Sequence, residues 1–364
     1  MAPPYILADC STQWAQDFDR ALRFLDAIAE ANEQAPIPIV FKGEILWDVD
    51  ICLPDTGYTE AFWAKDGTPA VEDFRKLIAR KVIDLDTYDR ILSAAKDRDL
   101  DRVMSVYDFI GADFAREHGC ALKVASSNIT HRPLIRHCAT ISNTPPPTTG
   151  CAWSVLDAFR PLYLDTGRAT LAEVDTAIRL ATESGATDIR IGHSPDGHPA
   201  DPVNHNLRSL RTLQTAFGLP VGLSCHRDGE DAAIAAVALG AAFVEVTVSD
   251  EPDALEQDAV ISLDVNSLVP FANTLHGVHE MLGDSWRDLA KPIERIGSSA
   301  RMGLVAREAI MAGEVLSLDT VRFAFPVVEH GIPVGSWDHV EGTAVRNYVA
   351  KDMPIHWSDL GRRV

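Results

Sequence analysis

The chain has 364 residues, 46% hydrophobic and 24% charged, enough for one large domain of about 250 residues and a smaller companion. A net charge of −20 without any Lys/Arg-rich run argues against a nucleic-acid partner. No apolar run approaches the ~18 residues of a membrane span, so no membrane partner is expected.

From the N-terminus, strands are predicted at 5–9 (YILAD) and 37–41 (IPIVF). The stretch 47–69 then reads as irregular and exposed, on the side where a barrel carries its active-site loops: a lid or a tolerated insertion. Strands follow at 102–107 and 121–126, and a proline-rich irregular stretch covers 142–154. Strands at 161–165, 188–192, 220–224 and 242–248 complete a set of eight. Most are nearly continuous in apolar character, as parallel strands covered on both faces are. A helix over 170–185 opens with Thr170 and Glu173 in capping-box spacing and closes at Gly185. Another carries Leu207, Leu210 and Leu213 on one face and stops at Gly218, and the alanine-rich run from Asp231 suits close packing on a sheet.

This alternation predicts an α/β fold, a (β/α)₈ TIM barrel over residues 1–285. A linker at 286–299 and a small β-rich domain over 300–364 follow, the latter a series of short strand-like runs broken by turns. The six scattered cysteines form no C-x-x-C pair, and the first residues lack the basic and apolar segments of a signal peptide; both predict reduced thiols in a cytoplasmic protein. The strand at 220–224 runs into Cys225 and His226, and a histidine at the C-terminal tip of a barrel strand stands where this fold carries metal ligands and acid–base groups.

The motifs KVASSNITHRPLI, DTGRATLAEVDTAI, GHSPDGHPADP, FGLPVGLSCH and AVALGAAFVEV occur in an order and spacing that resembles the sialic acid synthases over the whole chain. GLVAREAIMAGEVLSLDTV, GIPVGS and AKDMPIHWSDL resemble their small SAF (antifreeze-like) domain. The resemblance implies condensation of phosphoenolpyruvate with an N-acetylated aldose to a 2-keto sugar acid and free phosphate. It also implies a divalent metal, manganese or magnesium, acting on the aldehyde as a Lewis acid. The implied assembly is a homodimer with swapped SAF domains, in which an arginine of one subunit reaches the other's sugar site.

By that resemblance Lys123 and Ser126 belong to the phosphoenolpyruvate site, Ser224 precedes the metal histidine His226, and Glu245 and Asp258 face the sugar. A lysine with hydroxyls at strand tips is phosphate chemistry, charge plus oriented donors. The departures fall on reactive positions. The second metal histidine is Thr247, a poor ligand beside imidazole. The first-strand glutamate is Asp9, and the acid after the KVAS serine is Asn128. A phosphate-site serine is Asp165, and an asparagine and tyrosine after the sixth strand are Asp196 and His198. Each new carboxylate opposes a phosphate dianion, at a cost of roughly several kcal/mol at a few ångströms and an effective dielectric near 20. The swapped arginine falls at Met302 with Arg301 beside it, and the second-strand lysine has no aligned counterpart, Lys42 lying near it.

Three readings stand side by side. The first is a divergent synthase, with Asp9 and His226 as catalytic residues and His226 with Asp196 as metal ligands. In it Lys123, Ser126, Asn128, Asp165, Asp196, His198, Ser224, Glu245, Asp258 and Arg301 bind substrates. The second is an aldolase, lyase or dehydratase acting on an unphosphorylated oxo acid, which accounts for the new carboxylates. The third is a degenerate homologue serving as partner or scaffold. His193 and His198 also fit ordinary loop histidines.

Overall fold

The computed structural model describes residues 2–10, 13–14, 16–143, 161–283 and 301–363, and the chain divides into two compact units, Met1–Gly283 and Asp284–Val364. In the first, eight parallel strands close on themselves: β1 (Tyr5–Asp9), β2 (Ile39–Glu44), β5 (Arg102–Val106), β6 (Ala121–Val124), β7 (Leu162–Asp165), β8 (Ile189–His193), β9 (Val221–Cys225) and β10 (Phe243–Ser249). Pairing of β1 with β10 shuts the barrel, and a two-residue strand, β11 (Leu263–Asp264), pairs in parallel with the end of β10. All eight strands expected from the sequence are present, with ends shifted by a few residues at most.

Helices α1 (Phe18–Gln34), α3 (Leu85–Asp97), α4 (Phe109–Glu117), α5 (Arg132–Ser142), α6 (Leu171–Glu183), α7 (Ser209–Phe217), α8 (Asp231–Ala238) and α9 (Leu268–Leu282) cover the outside of the sheet. Local chemistry sets their ends. The Thr170–Glu173 capping box at the start of α6 is reciprocal, and Gly218 closes α7 in the left-handed conformation that a residue without Cβ enters freely. On α8 the small residues Ala232, Ala233 and Ala236 are buried, letting the helix lie close to β9 and β10.

The 47–69 stretch departs from its expected irregularity. It holds the first arm of an antiparallel hairpin, β3 (Thr59–Trp63), whose second arm, β4 (Pro69–Asp73), begins at its end and runs into the short helix α2 (Phe74–Ala79). Both hairpin strands are mostly exposed, so neither shows the buried apolar face that betrays a strand in sequence. The expected stretch 142–154 lies outside the described residues beyond Asn143, as does the 286–299 linker.

The second unit packs its own core of Leu304, Ala306, Ile310, Leu316, Val321, Ile332, Val345 and Ile355. Two antiparallel pairs frame it, β12 (Gly303–Ala306) with β13 (Val321–Ala324), and β14 (Thr343–Val345) with β15 (Leu360–Arg363). The five described cysteines are buried free thiols, and among the described residues no helix is long and apolar enough to cross a membrane.

Candidate active site

Side chains alternate along a strand, so every second residue of a barrel strand points into the lumen. At the N-terminal end these are Tyr5, Val40, Val103, Ala121, Tyr163 and Phe243, which pack into one cluster with Leu7. Toward the C-terminal end the same phase yields Asp9, Lys42, Glu44, Ser105, Lys123, Asp165, Ser224, Glu245 and Thr247. Register places Asp9 beside Lys42 on one side and Thr247 on the other, and Glu245 beside Ser224.

These residues form one buried ion network. Lys123 Nζ donates to Glu245 at 2.6 and 2.5 Å and to Ser224 Oγ at 3.4 Å, and pairs with Asp165 at 2.8 Å. Ser224 donates in turn to Asp165. Lys42 Nζ lies 2.8 Å from Asp9, 3.4 Å from Glu44 and 3.7 Å from Glu245. Asp165 therefore does not stand against an incoming anion as a bare charge; it is the counter-ion of Lys123. Its place depends on Gly192, its register neighbour, where an added Cβ would fall 1.7 Å from Asp165 Oδ1.

Four carboxylates share two ammonium groups here, and the titration of Asp9, Asp165 and Glu245 reflects burial set against the nearby cations. Burial opposes the charge on Lys42 and Lys123, but the surrounding carboxylates outweigh it and both are held protonated. Burial would also raise Glu245, yet Lys123 and Lys42 together keep it below its ordinary range. For Asp165 burial prevails over Lys123 and pushes the carboxyl upward. Burial pushes Asp9 up to about 7 against the pull of Lys42, with Glu245 and Glu44 adding to the rise.

The network forms the base of a cavity of about 660 Å³. Its wall brings together nearly all the residues expected from the sequence: Asp9, Lys123, Ser126, Asn128, Asp165, His198, His226, Glu245 and Asp258, with Ser224 just beneath. His226 is neutral: burial, reinforced by neighbouring His198, drives it well below the usual histidine range. Its Nδ1–H donates to the Pro195 carbonyl at 2.8 Å, which leaves the lone pair on Nε2. The His198 ring lies 4.1 Å away.

Other expected residues lie elsewhere. Asp196 is not on the cavity wall beside His226; it forms a half-exposed 2.6 Å pair with Arg168, which holds its carboxyl below the ordinary range. His193 donates Nε2–H to the His205 carbonyl at 2.7 Å, a structural bond. Arg301 is exposed in the second unit and Met302 is half-buried. Sequence reasoning leaves Lys42 unplaced and misses Glu44, Ser105 and Tyr107, all on the wall; for Lys42 and Glu44 the available signal is a charged residue at every second place of an apolar run, and Ser105 and Tyr107 carry none.

The 47–81 excursion belongs to the rim. Ile51, Cys52 and Glu60 line the cavity, and Lys81 donates to Gln257 at 3.0 Å while pairing with Glu256. Those bonds fix the loop that carries Asp258, whose backbone is left-handed and whose buried Oδ1 has no hydrogen-bond partner among the described residues.

The site that the resemblance implies, with imidazoles at positions 226 and 247, does not form from this donor set: His226 offers Nε2, but Thr247 stands at the second position and Glu245 is engaged by Lys123. The imidazole beside His226 is instead that of His198 on the cavity wall. Among the described residues no three His, Cys, Asp or Glu side chains converge as a metal site.

Comparison with known proteins places this geometry in context. The NeuB family matches residues 52–287 and the SAF domain matches residues 301–361. An uncharacterized protein of Methanocaldococcus jannaschii is 30% identical over 241 residues, covering 66% of this chain and 66% of that protein. The N,N'-diacetyllegionaminic acid synthase of Campylobacter jejuni is 24% identical over 277 residues, 75% of this chain and 77% of the synthase. The crystal structure of N-acetylneuraminic acid synthetase from Leptospira borgpetersenii superposes with a TM-score of 0.64 at 19% identity, over 81% of this chain and 91% of that one, a likeness of fold.

Proposed function

The chain belongs to the NeuB family, and from that premise we propose that it joins an enolpyruvyl donor, phosphoenolpyruvate, to a sugar-like aldehyde, giving a 2-keto sugar acid. The observation that carries this reading is the pair of buried ammonium groups, Lys42 and Lys123, at the C-terminal strand ends beneath one large cavity. Charged and hydrogen-bonded groups held rigidly at a dry base are what an anionic donor and a developing oxyanion need. Lys123, Ser126 and Ser224 hold the donor, while Glu245 and Asp258 orient the acceptor hydroxyls. Asp165, as the counter-ion of Lys123, presents no bare charge to an anion beside it. A homodimer that exchanges its SAF domains is part of the same proposal, with Arg301 as the exposed cation offered to the partner's sugar.

One observation favours a second reading. Lys123 already directs its three N–H bonds to Glu245, Asp165 and Ser224, which suits a donor without phosphate, such as an unphosphorylated 2-oxo acid. Calorimetric titration of phosphoenolpyruvate and of pyruvate, metal-free and with manganese, separates the two when run beside a phosphate-release assay with N-acetylated aldoses. Phosphate release with saturable phosphoenolpyruvate binding upholds the first reading. Pyruvate consumption without phosphate shifts the assignment to the second, and absence of binding by either donor ends both.

A further inference from the structure

Adding a carbon nucleophile to an aldehyde requires an electrophile on the carbonyl oxygen, a metal ion or a proton. Thr247 occupies the position of the second imidazole, and its register neighbour across the β1–β10 seam is Asp9. Both side chains are buried and both line the cavity. Asp9 faces Lys42 and Glu44 on β2, Tyr107 just beyond β5, Glu245 and Thr247 on β10, and Cys10 next along the chain. Asp9, Glu44 and Glu245 thus crowd a single ammonium, Lys42. Three carboxylates around one cation relieve their repulsion when one keeps a proton. Glu245 has Lys123 as a second cation, and Glu44 is more exposed to solvent than Asp9.

We propose that protonated Asp9 activates the aldehyde by donating its proton, so that this chain carries out its condensation without a divalent ion. The inference rests on the synthase reading above. In the step, the donor's C3 carbon bonds to the aldehyde carbon and the C=O electron pair moves to oxygen, which takes the Asp9 proton. Water then adds to donor C2 and returns a proton to Asp9. The C2–O bond to phosphate breaks, the hydroxyl proton of that intermediate leaves with the phosphate, and the ketone forms. Burial keeps the proton on Asp9 up to about pH 7, so the active fraction falls as pH rises through that value.

The test uses the full-length chain, Asp9→Asn, Asp9→Glu, His226→Gln and Thr247→His, with manganese ion alone as the binding probe read by electron paramagnetic resonance. The unaltered chain is expected to take up no stoichiometric manganese, whereas Thr247→His, which restores the second imidazole, takes it up. Turnover is expected to be unchanged by chelator and to fall about 10²–10⁴-fold in Asp9→Asn, with partial recovery in Asp9→Glu. The decline near pH 7 disappears in Asp9→Asn. Stoichiometric manganese uptake by the unaltered chain that is lost in His226→Gln, or turnover abolished by chelator and restored by manganese, overturns the proposal. If no donor turns over, the synthase reading fails by itself, and carbon-13 NMR of labelled aspartate carboxyls, assigned through Asp9→Asn, still decides the proton's place. A midpoint near neutrality upholds it; one in the ordinary range of about 4 overturns it.

Discussion

Two layers of one barrel interior, offset by two residues along the strands, treat their polar groups differently. In the lower layer the Tyr5 and Tyr163 hydroxyls bond at 2.7 Å, Arg190 donates to Tyr5 at 2.7 Å, and Asp188 neutralises Arg190. Phe243 stacks on Tyr5 and meets Tyr163 edge-on. Each strong donor there has a matching acceptor, and one cation faces one carboxylate. In the upper layer the burial is equally deep, but four carboxylates meet two ammonium groups. The charged groups of both layers are paired, although Ser105 Oγ in the upper one has no hydrogen-bond partner among the described residues. The difference is charge balance: a matched layer holds the barrel together, while a layer short of cations keeps the capacity to gain a proton or a ligand.

Replacing Lys123 with Met breaks that contrast most severely. It leaves Asp165 and Glu245 buried against each other without their shared cation, and we expect a loss of about 3–5 kcal/mol in denaturant unfolding together with loss of donor binding in calorimetry. A smaller penalty at acidic pH, where both carboxyls take protons, identifies repulsion as the cause. An unchanged midpoint at neutral pH would show that the network is not charged as described.

Gly192→Ala attacks the upper layer through its scaffold. The new Cβ falls 1.7 Å from Asp165 Oδ1, so the carboxylate must turn away from Lys123 and Ser224. The expected cost is about 1–3 kcal/mol in thermal or chemical unfolding, accompanied by weaker donor binding. Retention of full binding would mean that Asp165 contributes little to the site.

The lower layer gives the smallest effect. Tyr163→Phe removes one hydroxyl and leaves Tyr5 bonded to Arg190, costing about 1 kcal/mol of stability with turnover unaffected. A substantial change in turnover would contradict the division of labour between the layers.

Much of this organisation was legible in the sequence because barrel strands are buried on both sides. YILAD and AFVEVTV announce themselves as nearly unbroken apolar runs, and the Thr170–Glu173 spacing marks a helix start through local hydrogen bonding alone. The hairpin in 47–69 was not legible, since Thr59–Trp63 and Pro69–Asp73 bury little and lack a clear alternation. Site residues were legible where a motif preserved residue type, as at Lys123, Ser224 and His226. Lys42 and Glu44 were harder, because their role comes from strand phase: both follow Val40 in steps of two on β2, facing inward. From sequence alone Asp165 stands as an obstacle to phosphate, because its counter-ion, Lys123, comes from a different strand. Asp196 matched its position in the motif but pairs with Arg168 at the surface, a contact fixed by tertiary structure.

The β1–β10 seam also constrains how the molecule is made. Asp9 lies on the first strand of the ring, yet Glu245 and Thr247, from across the seam, come from the last strand to join it. Until that strand docks, a nascent chain must leave the lysines and carboxylates hydrated, because no complete set of counter-ions exists to replace water. Ring closure and ion dehydration are therefore coupled in one late, long-range event, of the kind that slows folding. A ribosome-bound fragment ending before β10 lacks the wall that Glu245 and Thr247 supply, and the chamber is complete only after the whole ring has been synthesised.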